Sequence, residues 1–390
     1  MKITKRSNGY YQINLYLGKD ANGKPIRKTV YGKTQKEATA KANELKEKYQ
    51  KGIDLDAVKD SFQAWTERFL LLKKAKVSAA QYSLVKTRAE TICSFLGSRE
   101  IGRLTVADIQ YMLNSLAENN PTTNAPSAKS TLKSYKQITQ QIFRAAIQSR
   151  AIDYNPADFA EIPQNAPSET RRALSDDEIL LIKETPHRAQ AAALLMLYTG
   201  LRRGEVSALM WSDINFSERT LTVSKSVTYK GDDPGSVKAP KTAAGKRTVP
   251  IPDELLHFLQ QLPKKSLLVV TSASGQQMTE TAWTRMWQSY MKTLNAALYS
   301  RISGEAVSKF NPNGVPNVLR EFTPHCLRHT YATMLYESGV DALVAKELMG
   351  HSDIKTTLGV YTHLSTKHAA ISADKLNAYL SSRHTSAAEA

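Results

Sequence analysis

The sequence predicts a mostly α-helical, multidomain chain with small β elements. Its 390 residues are enough for two to four domains of ordinary size. Apolar residues recur at helical spacing through residues 52–165 and through most of 172–385, whereas short alternating patterns occur in residues 1–51 and in one later patch. The hydrophobic content of 41% is that of a folded globular chain, which excludes disorder over the whole length.

The first 51 residues predict a small α+β domain, a short sheet with one helix. Residues 10–17 alternate between apolar and polar side chains, residues 20–23 have the composition of a turn, and residues 26–31 can return as a paired strand. Residues 34–37 form a capping box that opens a helix. The helix presents an apolar face to one side of the sheet through Ala38, Ala42, Leu45 and Tyr49.

The other side of this sheet is a candidate DNA-binding surface. Residues 1–51 contain 13 Lys and Arg against 4 Asp and Glu, which is more than half of the net charge of +17. Such a block favours a polyanionic partner, and a ribbon of two or three strands fits the DNA major groove. A basic face in contact with solvent alone is the alternative. The residues predicted on this surface are Tyr10, Gln12, Asn14, Arg27 and Thr29.

Residues 52–165 predict a domain of four amphipathic helices. The fourth helix, from about residue 127, carries a polar stripe that either lies against DNA phosphates or is an ordinary solvated face. The residues of this stripe are Lys133, Lys136, Gln140 and Arg144. The inward positions predicted for the first helix are Val58, Phe62, Trp65, Phe69 and Leu72.

The sequence of the last domain, residues 172–385, predicts a mixed α/β fold. Residues 163–167 contain two prolines among polar residues, which is typical of a linker before a new domain. A capping box at residues 175–178 opens the first helix of that domain. The domain is mostly helical, with one β patch predicted as a strand over residues 219–229 and another over 247–252.

Short segments of this last domain carry residues suited to phosphate chemistry. Arg202 follows the apolar helix of residues 191–198, and Gly200 can supply the left-handed C-cap of that helix. His325 and Arg328 share one face at the start of a predicted helix, where backbone N–H groups favour an anion. These two segments can therefore direct cationic donors at one phosphate group.

Two more segments supply a lysine and a tyrosine. Lys241 lies at the tip of a predicted β hairpin, and Lys238 and Lys246 compete with it for the same role. His351 follows a glycine, and Tyr361 lies ten residues further on. One tyrosine among 17 carries little information by itself, but a tyrosine in this order after the arginines and histidines is specific.

With these residues in this order, the chain resembles the tyrosine recombinases, also called the phage integrase family. The resemblance rests on Thr-Gly-Leu-Arg at 199–202, a Lys-Thr turn before a strand ending in Val-Pro-Ile-Pro, His-Cys-Leu-Arg-His-Thr at 325–330, and Gly-His followed by Tyr-Thr-His. It implies an arm-type DNA-binding domain in residues 1–51, a helical core-binding domain in 52–165 and a catalytic domain in 172–385. The catalytic residues that it implies are Arg202, Lys241, His325, Arg328, His351 and Tyr361.

The resemblance implies that Tyr361 attacks a DNA phosphodiester and forms a 3′-phosphotyrosyl link with a free 5′-hydroxyl. Lys241 is the candidate general acid, because lysine can titrate when its surroundings lower its pKa. Arg202 and Arg328 can donate charge-assisted hydrogen bonds to the non-bridging oxygens, and a histidine can add another donor. We expect no metal and no cofactor, since the sequence lacks a carboxylate cluster that could hold Mg²⁺. Two further residues are predicted to orient this cluster without touching phosphate, Glu205 and His329.

The partners implied are double-stranded DNA at core and arm attachment sites and a homotetramer on synapsed DNA, with residues 371–380 exchanged between protomers. An excision or DNA-bending factor is a further partner that the resemblance allows. The implied function is integration and excision of a mobile element. The alternatives are a type IB topoisomerase-like enzyme and a non-catalytic DNA-binding regulator.

Membrane, secretory and disulfide-rich classes are excluded at this point. No apolar run approaches the roughly 20 residues of a membrane-spanning helix, and the first residues lack the apolar segment of a secretory signal. The two cysteines, Cys93 and Cys326, form no disulfide framework, and a zinc site at His325 and His329 has no evident third ligand. We therefore expect a cytoplasmic protein of a bacterial host, associated with the nucleoid.

Overall fold

The computed structural model describes residues 2–19, 24–50, 52, 54, 57–168, 172–230, 233–238, 245–307 and 314–361. The chain forms two compact units, Met1–Thr170 and Arg171–Ala390. Helices dominate and the sheets are small, which confirms the predicted fold class. None of the helices in the described ranges is long and apolar enough to cross a membrane.

The first unit begins with a three-stranded antiparallel sheet, in the order β1-β2-β3. The strands are β1 (Ile3–Lys5), β2 (Tyr11–Lys19) and β3 (Pro25–Gly32), and helix α1 spans Gln35–Gln50. The Thr34 hydroxyl accepts a hydrogen bond from the Glu37 N–H at 3.1 Å, as expected for the start of α1. One side of the sheet packs on this helix through a small apolar cluster built on Ile13, Leu15, Ala38 and Ala42.

In the described part of the first unit four α-helices follow, as the periodicity predicts. They are α2 (Phe62–Lys74), α3 (Ala79–Leu96), α4 (Val106–Glu118) and α5 (Lys129–Gln148). Two positions predicted inward on the first helix are wrong. Val58 precedes α2 in a short 3-10 turn, because the Ser61 hydroxyl caps α2 by accepting from the Ala64 N–H. Leu72 is 60% exposed, since it lies about 70° around the helix from the centre of the buried face.

The boundaries inside the first unit stay a proposal. The sheet cluster and the helical cluster are separate apolar cores, which supports a division near residue 51. The predicted linker at 163–167 packs against the helical region instead of leaving it. Ala166 is buried in the helical core, and the Pro167 carbonyl accepts from the Lys129 N–H at 2.8 Å. The transition between the two compact units therefore falls after residue 168.

The second unit surrounds helix α7, in which every residue except Tyr198 is buried. The core of the second unit also includes Trp283 and Trp287, whose indole rings stack on each other. The Ser175 capping box predicted for its first helix is confirmed. The helices are α6 (Asp176–Glu184), α7 (Gln190–Thr199), α8 (Arg203–Ala208), α9 (Asp253–Gln261), α10 (Glu280–Ser303), α11 (Pro324–Glu337), α12 (Ala342–Met349) and α13 (Ile354–Tyr361).

The β patch of the second unit differs from the prediction. Residues 219–229 are two strands in different sheets, because the chain leaves the first sheet after Val223 to pack β6 against α8. Gly204 of α8 lies so close to the Val227 carbonyl that a Cβ would approach it to 2.6 Å. One sheet has the order β4-β5-β8 and the other pairs β6 with β7. The strands are β4 (Ile214–Asn215), β5 (Thr220–Val223), β6 (Ser226–Lys230), β7 (Asp233–Lys238) and β8 (Arg247–Pro250).

Candidate active site

The turn after α7 sets the position of Arg202. Gly200 caps α7 in the left-handed conformation, with φ 63°, which confirms the predicted cap. A side chain at this position would collide with the Tyr331 ring and approach Met349 Sδ to 2.9 Å. Glycine thus serves both the backbone conformation and the close approach of α11 and α12. Arg202 becomes the N-cap residue of α8, held by a buried helix on one side.

Glu205 is a buried carboxylate that accepts hydrogen bonds from two arginines. Its Oε1 accepts from Arg202 Nη1 at 2.8 Å and from Arg247 Nη1 at 3.2 Å. Its Oε2 accepts from the Arg202 backbone N–H and from Arg247 Nη2, both at 2.9 Å. Burial by itself raises the pKa of Glu205, but the hydrogen bonds and charges of Arg247 and Arg202 outweigh burial and lower that pKa. The carboxylate is therefore ionised at neutral pH.

Arg328 lies in the second turn of α11 and is 2% exposed. Its guanidinium donates to the backbone carbonyls of Gly200 and Met349. Burial, followed by repulsion from Arg202, lowers the pKa of Arg328 to about 9. That value is above neutral pH, so the site keeps a buried positive charge.

Three arginines hold the carboxyl end of α12. Arg247, Arg328 and Arg202 donate, in that order, to the consecutive backbone carbonyls of residues 348–350. The distance is 2.8 Å from Arg247 Nε and 2.7 Å from Arg202 Nη2. The last carbonyls of a helix lack intrahelical partners and form the negative end of its dipole, so cations are favoured there. The end of α12 is thus fixed immediately before His351.

A cleft of about 260 Å³ lies beside this cluster. Its walls include Arg202, His325 and Arg328, so the structure brings these three predicted residues together. His325 is exposed and is the second residue of α11, at the amino end where an anion is favoured. The arrangement offers guanidinium donors and a helix terminus to a single anionic group.

His351 lies close enough to Arg328 and Arg202 for their charges to affect its pKa, but it is not part of the cleft wall. It follows Gly350, which ends α12 in the left-handed conformation. Its Nδ1 is 2.9 Å from Thr357 Oγ1, and Thr357 is completely buried in α13. Burial, followed by the charges of Arg328 and Arg202, lowers the pKa of His351 to about 4. The imidazole is therefore neutral at pH 7.

The remaining two predicted catalytic residues fall partly or wholly outside the described residues. Tyr361 is the last residue of α13, one helical turn after Thr357, and its side chain lies outside them. Lys241 lies outside them entirely, as do residues 371–380. The strands that flank Lys241 in sequence, β7 and β8, belong to different sheets. The predicted position of Lys241 at a hairpin tip and its catalytic role both lie outside the described residues and stay predictions.

Two arginines at this site escaped the sequence prediction, Arg203 and Arg247. Arg203 lines the cleft, stacks over the Tyr229 ring at 4.5 Å and reaches Glu280 at 3.5 Å. Arg247 is buried on β8, where the alternation of the strand places it on the same side as Val249. A charged residue at an inward strand position needs a buried partner, and this was the signal available in the sequence.

His329 lies in α11 next to Arg328 and is half-buried, and the Thr333 hydroxyl donates to its backbone carbonyl at 3.2 Å. Its orienting role stays a prediction. Among the residues with described positions, no three His, Cys, Asp or Glu side chains come together as metal ligands.

The candidate DNA-binding surface of the first unit is assembled as the alternation predicts. Asn14 and Thr29 face each other across β2 and β3, and the Thr29 hydroxyl donates to Asn14 Oδ1 at 2.9 Å. The Gln12 amide donates to the same oxygen at 2.9 Å. Arg27 is exposed on β3, and Tyr10, just before β2, is 38% exposed. DNA contact by this surface stays a prediction.

The polar stripe on α5 is largely used within the first unit. Lys136 Nζ donates to a backbone carbonyl at 2.5 Å, and the Gln140 amide donates to the Asp158 carboxylate at 2.9 Å. Arg144 lies 3.9 Å from the same carboxylate, whereas Lys133 is exposed. Three of the four side chains thus have intramolecular partners, and phosphate contact by the stripe stays a prediction.

Comparison with proteins of known sequence assigns the chain to a family. The phage integrase family model matches residues 168–368. The chain is 29% identical over 397 residues to a XerC-like tyrosine recombinase of Caldanaerobacter subterraneus subsp. tengcongensis, covering 96% of this chain and 97% of the relative. It is 25% identical over 390 residues to the ICEBs1 integrase of Bacillus subtilis, covering 97% and 99%.

Solved structures agree on the fold. The Tn1549 transposon integrase in complex with transposon right-end DNA superimposes with a TM-score of 0.63 at 21% identity, covering 81% of this chain and 99% of that one. A lambda integrase tetramer bound to a Holliday junction gives a TM-score of 0.54 at 20% identity, covering 90% and 95%. The chain belongs to the phage integrase family and is a tyrosine site-specific recombinase.

Proposed function

We propose that this recombinase is the integrase of a bacterial mobile element and that it breaks and rejoins double-stranded DNA through a 3′-phosphotyrosyl intermediate. The observation that carries the proposal is the meeting of Arg202, Arg328 and His325 at one cleft. The mobile-element role is supported by similarity to integrases of a conjugative element and a transposon. The substrate places the activity in the cytoplasm of the host, at the nucleoid.

The charges of the site match those of the reaction. A phosphodiester carries one negative charge, and attack by a nucleophile adds a second to the non-bridging oxygens. The Glu205 carboxylate is compensated by Arg247, so the guanidiniums of Arg202 and Arg328 keep two positive charges for the transition state. Preorganised donors of this kind typically contribute about 10²–10³ each to a rate.

His351 acts in this proposal as a neutral donor. We assign the tautomer in which Nδ1, 2.9 Å from Thr357 Oγ1, accepts from the hydroxyl and the proton of the neutral ring is on Nε2. The Nε2–H can then donate to a phosphate oxygen without adding a charge to a cluster that is already cationic. His325, exposed at the amino end of α11, supplies a second imidazole to the same phosphate.

Tyr361 is the nucleophile and Lys241 the general acid. A phenol has an unperturbed pKa of about 10, and neighbouring guanidiniums favour the phenolate. Thr357 fixes α13 to His351 one turn before Tyr361, which ties the helix of the nucleophile to the arginine cluster. Lys241 gives its proton to the leaving 5′ oxygen, and Glu205 and His329 keep the cluster in place.

The DNA partners follow the division of the chain. The surface with Asn14, Arg27 and Thr29 binds arm sites, while the helical region and the second unit bind the core site. Recombination between two duplexes requires four protomers, and a lambda integrase forms a tetramer on a Holliday junction. We place residues 371–380 at the contacts between protomers, and the assembly leaves room for an excision or DNA-bending factor.

A covalent trapping experiment tests the proposal. Duplexes that the full chain selects from a random-sequence pool are rebuilt with a nick beside the cleavage position, so that the freed strand end diffuses away. The chain should become joined to this DNA in a denaturing gel, and Tyr361→Phe should bind the DNA but form no adduct. Tyr299→Phe, at a half-buried tyrosine whose hydroxyl donates to Glu305, is the matched control and should form the adduct normally.

Each alternative predicts a different result. An adduct that survives Tyr361→Phe refutes the choice of nucleophile. Relaxation of any supercoiled plasmid, without preference for the selected sequence, indicates a topoisomerase. Tight binding with no adduct in the wild-type chain indicates a regulator that has kept only the fold.

A further inference from the structure

Arg247 uses all three of its side-chain nitrogens on protein partners. Its side chain is 6% exposed, and it is absent from the walls of the cleft. Nε donates to the Leu348 carbonyl at 2.8 Å, while Nη1 and Nη2 reach the two oxygens of Glu205 at 3.2 and 2.9 Å. A side chain with this geometry cannot reach a phosphate in the cleft without abandoning all three partners.

The bidentate pair of Arg247 with Glu205 determines how much of the positive charge of Arg202 is available to a phosphate in the cleft. Glu205 also accepts two hydrogen bonds from Arg202, one from its side chain and one from its backbone N–H. With Arg247 present, its guanidinium compensates the Glu205 carboxylate, and the positive charge of Arg202 remains available to a phosphate. Without it, the buried carboxylate would pair with Arg202 alone and cancel the charge that the phosphate needs.

Arg247 also joins two elements that carry different parts of the site. It is the first residue of β8, in register with Val223 of β5, so its backbone is fixed in a sheet. Its Nε holds the carbonyl of residue 348, three residues before His351. The sheet thereby sets the distance of the α12 end from Arg202 and Arg328.

We propose that Arg247 is a positioning residue for phosphoryl transfer: it neutralises Glu205 so that Arg202 keeps its charge, and it holds the end of α12 so that His351 stays against the arginines. This role rests on the proposed function, because it acts through Arg202 and His351. The three side-chain nitrogens of Arg247 bond to Glu205 and Leu348, so Arg247 acts on the reaction through these partners.

The test uses Arg247→Lys in the full chain. Lysine keeps the positive charge but cannot form a planar fork and a third hydrogen bond at the same time. We expect cleavage of the pre-bound, nicked duplex to slow by about tenfold or more, since small misplacements at an active site have large effects on rate. The dissociation constant for the same duplex should change less than threefold. Arg219→Lys is the matched control, because Arg219 lies beside the same sheet in an exposed pair with Asp253 at 2.6 Å.

A second substrate separates positioning from a purely structural role. The scissile phosphate is replaced by a methylphosphonate, which has one charged oxygen fewer and therefore needs less compensation from Arg202. The wild-type to Arg247→Lys rate ratio should fall below threefold on this substrate. A variant that is merely less well folded would give the same ratio on both substrates.

The outcomes are distinct. Equal cleavage rates for the wild type and Arg247→Lys, or an unchanged ratio on the methylphosphonate, overturn the role of Arg247. A parallel loss of DNA binding and cleavage also overturns it. A wild-type chain that forms no adduct at all overturns the proposed function instead.

Discussion

The arginine cluster of the second unit and the polar sheet surface of the first unit use positive charge in opposite ways. In the cluster, Arg247 and Arg328 are buried, and every guanidinium has fixed partners in carbonyls or in Glu205. On the sheet surface, Arg27 is exposed and its neighbours Asn14 and Thr29 bond to each other. Fixed, desolvated donors suit a transition state, whereas exposed donors suit a partner that arrives from solvent.

The comparison also shows that the region with the largest net charge is not the region with the arginine cluster. Residues 172–390 contain 25 Lys and Arg against 20 Asp and Glu, a small excess for their length, although they include the whole cluster. The large excess lies in residues 1–51. Exposed charges attract a polyanion over a distance and are screened by salt, while preorganised charges act at close range. Three predictions test this division, from the largest expected effect to the smallest.

Arg202→Ala should have the largest effect on chemistry. The variant lacks a donor to the phosphate and leaves the Gly350 carbonyl without its guanidinium partner. We expect single-turnover cleavage of the selected nicked duplex to fall by about 10²–10³. The affinity for the duplex should change less than threefold, and Arg219→Ala should behave as wild type in both assays. A large loss of affinity would show that the cluster contributes to binding as well as to catalysis.

Deleting residues 1–51 should change the salt dependence of DNA binding and leave the cleavage rate nearly unchanged. Removing one ion pair with a DNA phosphate lowers the slope of log affinity against log salt by about 0.9, so removal of the exposed cations should flatten that slope by several units. Cleavage of a duplex already bound at saturating protein should stay within threefold of wild type. The slope is measured by fluorescence anisotropy between low and physiological salt. A truncated chain that binds with the original slope would place the phosphate-binding cations elsewhere.

The smallest effect is a pH dependence of stability at His351. The unfolded chain protonates this histidine near its ordinary pKa of about 6.5, whereas the folded chain does so only near pH 4. Between these values the unfolded chain binds more protons, so the free energy of unfolding falls as the pH is lowered. Between pH 7.5 and 5, the free energy of unfolding of His351→Gln should fall by about 1 kcal/mol less than that of the wild type, a value reduced for the partial exposure of the side chain.

Urea unfolding of the full chain, followed by tryptophan fluorescence at the two pH values, measures this difference. His257→Gln, at an exposed histidine of α9, is the control and should keep the wild-type dependence. An unchanged pH dependence in His351→Gln would mean that the folded site binds the proton as readily as the unfolded chain does.

Much of the molecule follows from local patterns in the sequence. The helices of residues 52–165, the buried helix of residues 191–198 and the Gly200 cap rest on periodicity and on backbone conformation, which involve residues close in sequence. The order of Arg202, His325, Arg328, His351 and Tyr361 indicated the family, because joint spacing is far more specific than any one residue. Both are properties that a linear chain displays directly.

The tertiary structure decided which segments far apart in sequence meet. Local alternation cannot show that the chain changes sheets after Val223, because both strands have the same β pattern. Nor can it show that Arg247 and Glu205 meet, since 42 positions separate them in sequence. Burial of a charge is favourable only when its partner is brought to it, and the packing of β8, α8 and α12 together makes that pairing. The sequence alone therefore indicated candidate residues for phosphoryl transfer, while the fold determined which arginines face the cleft and which one is buried against Glu205 and the end of α12.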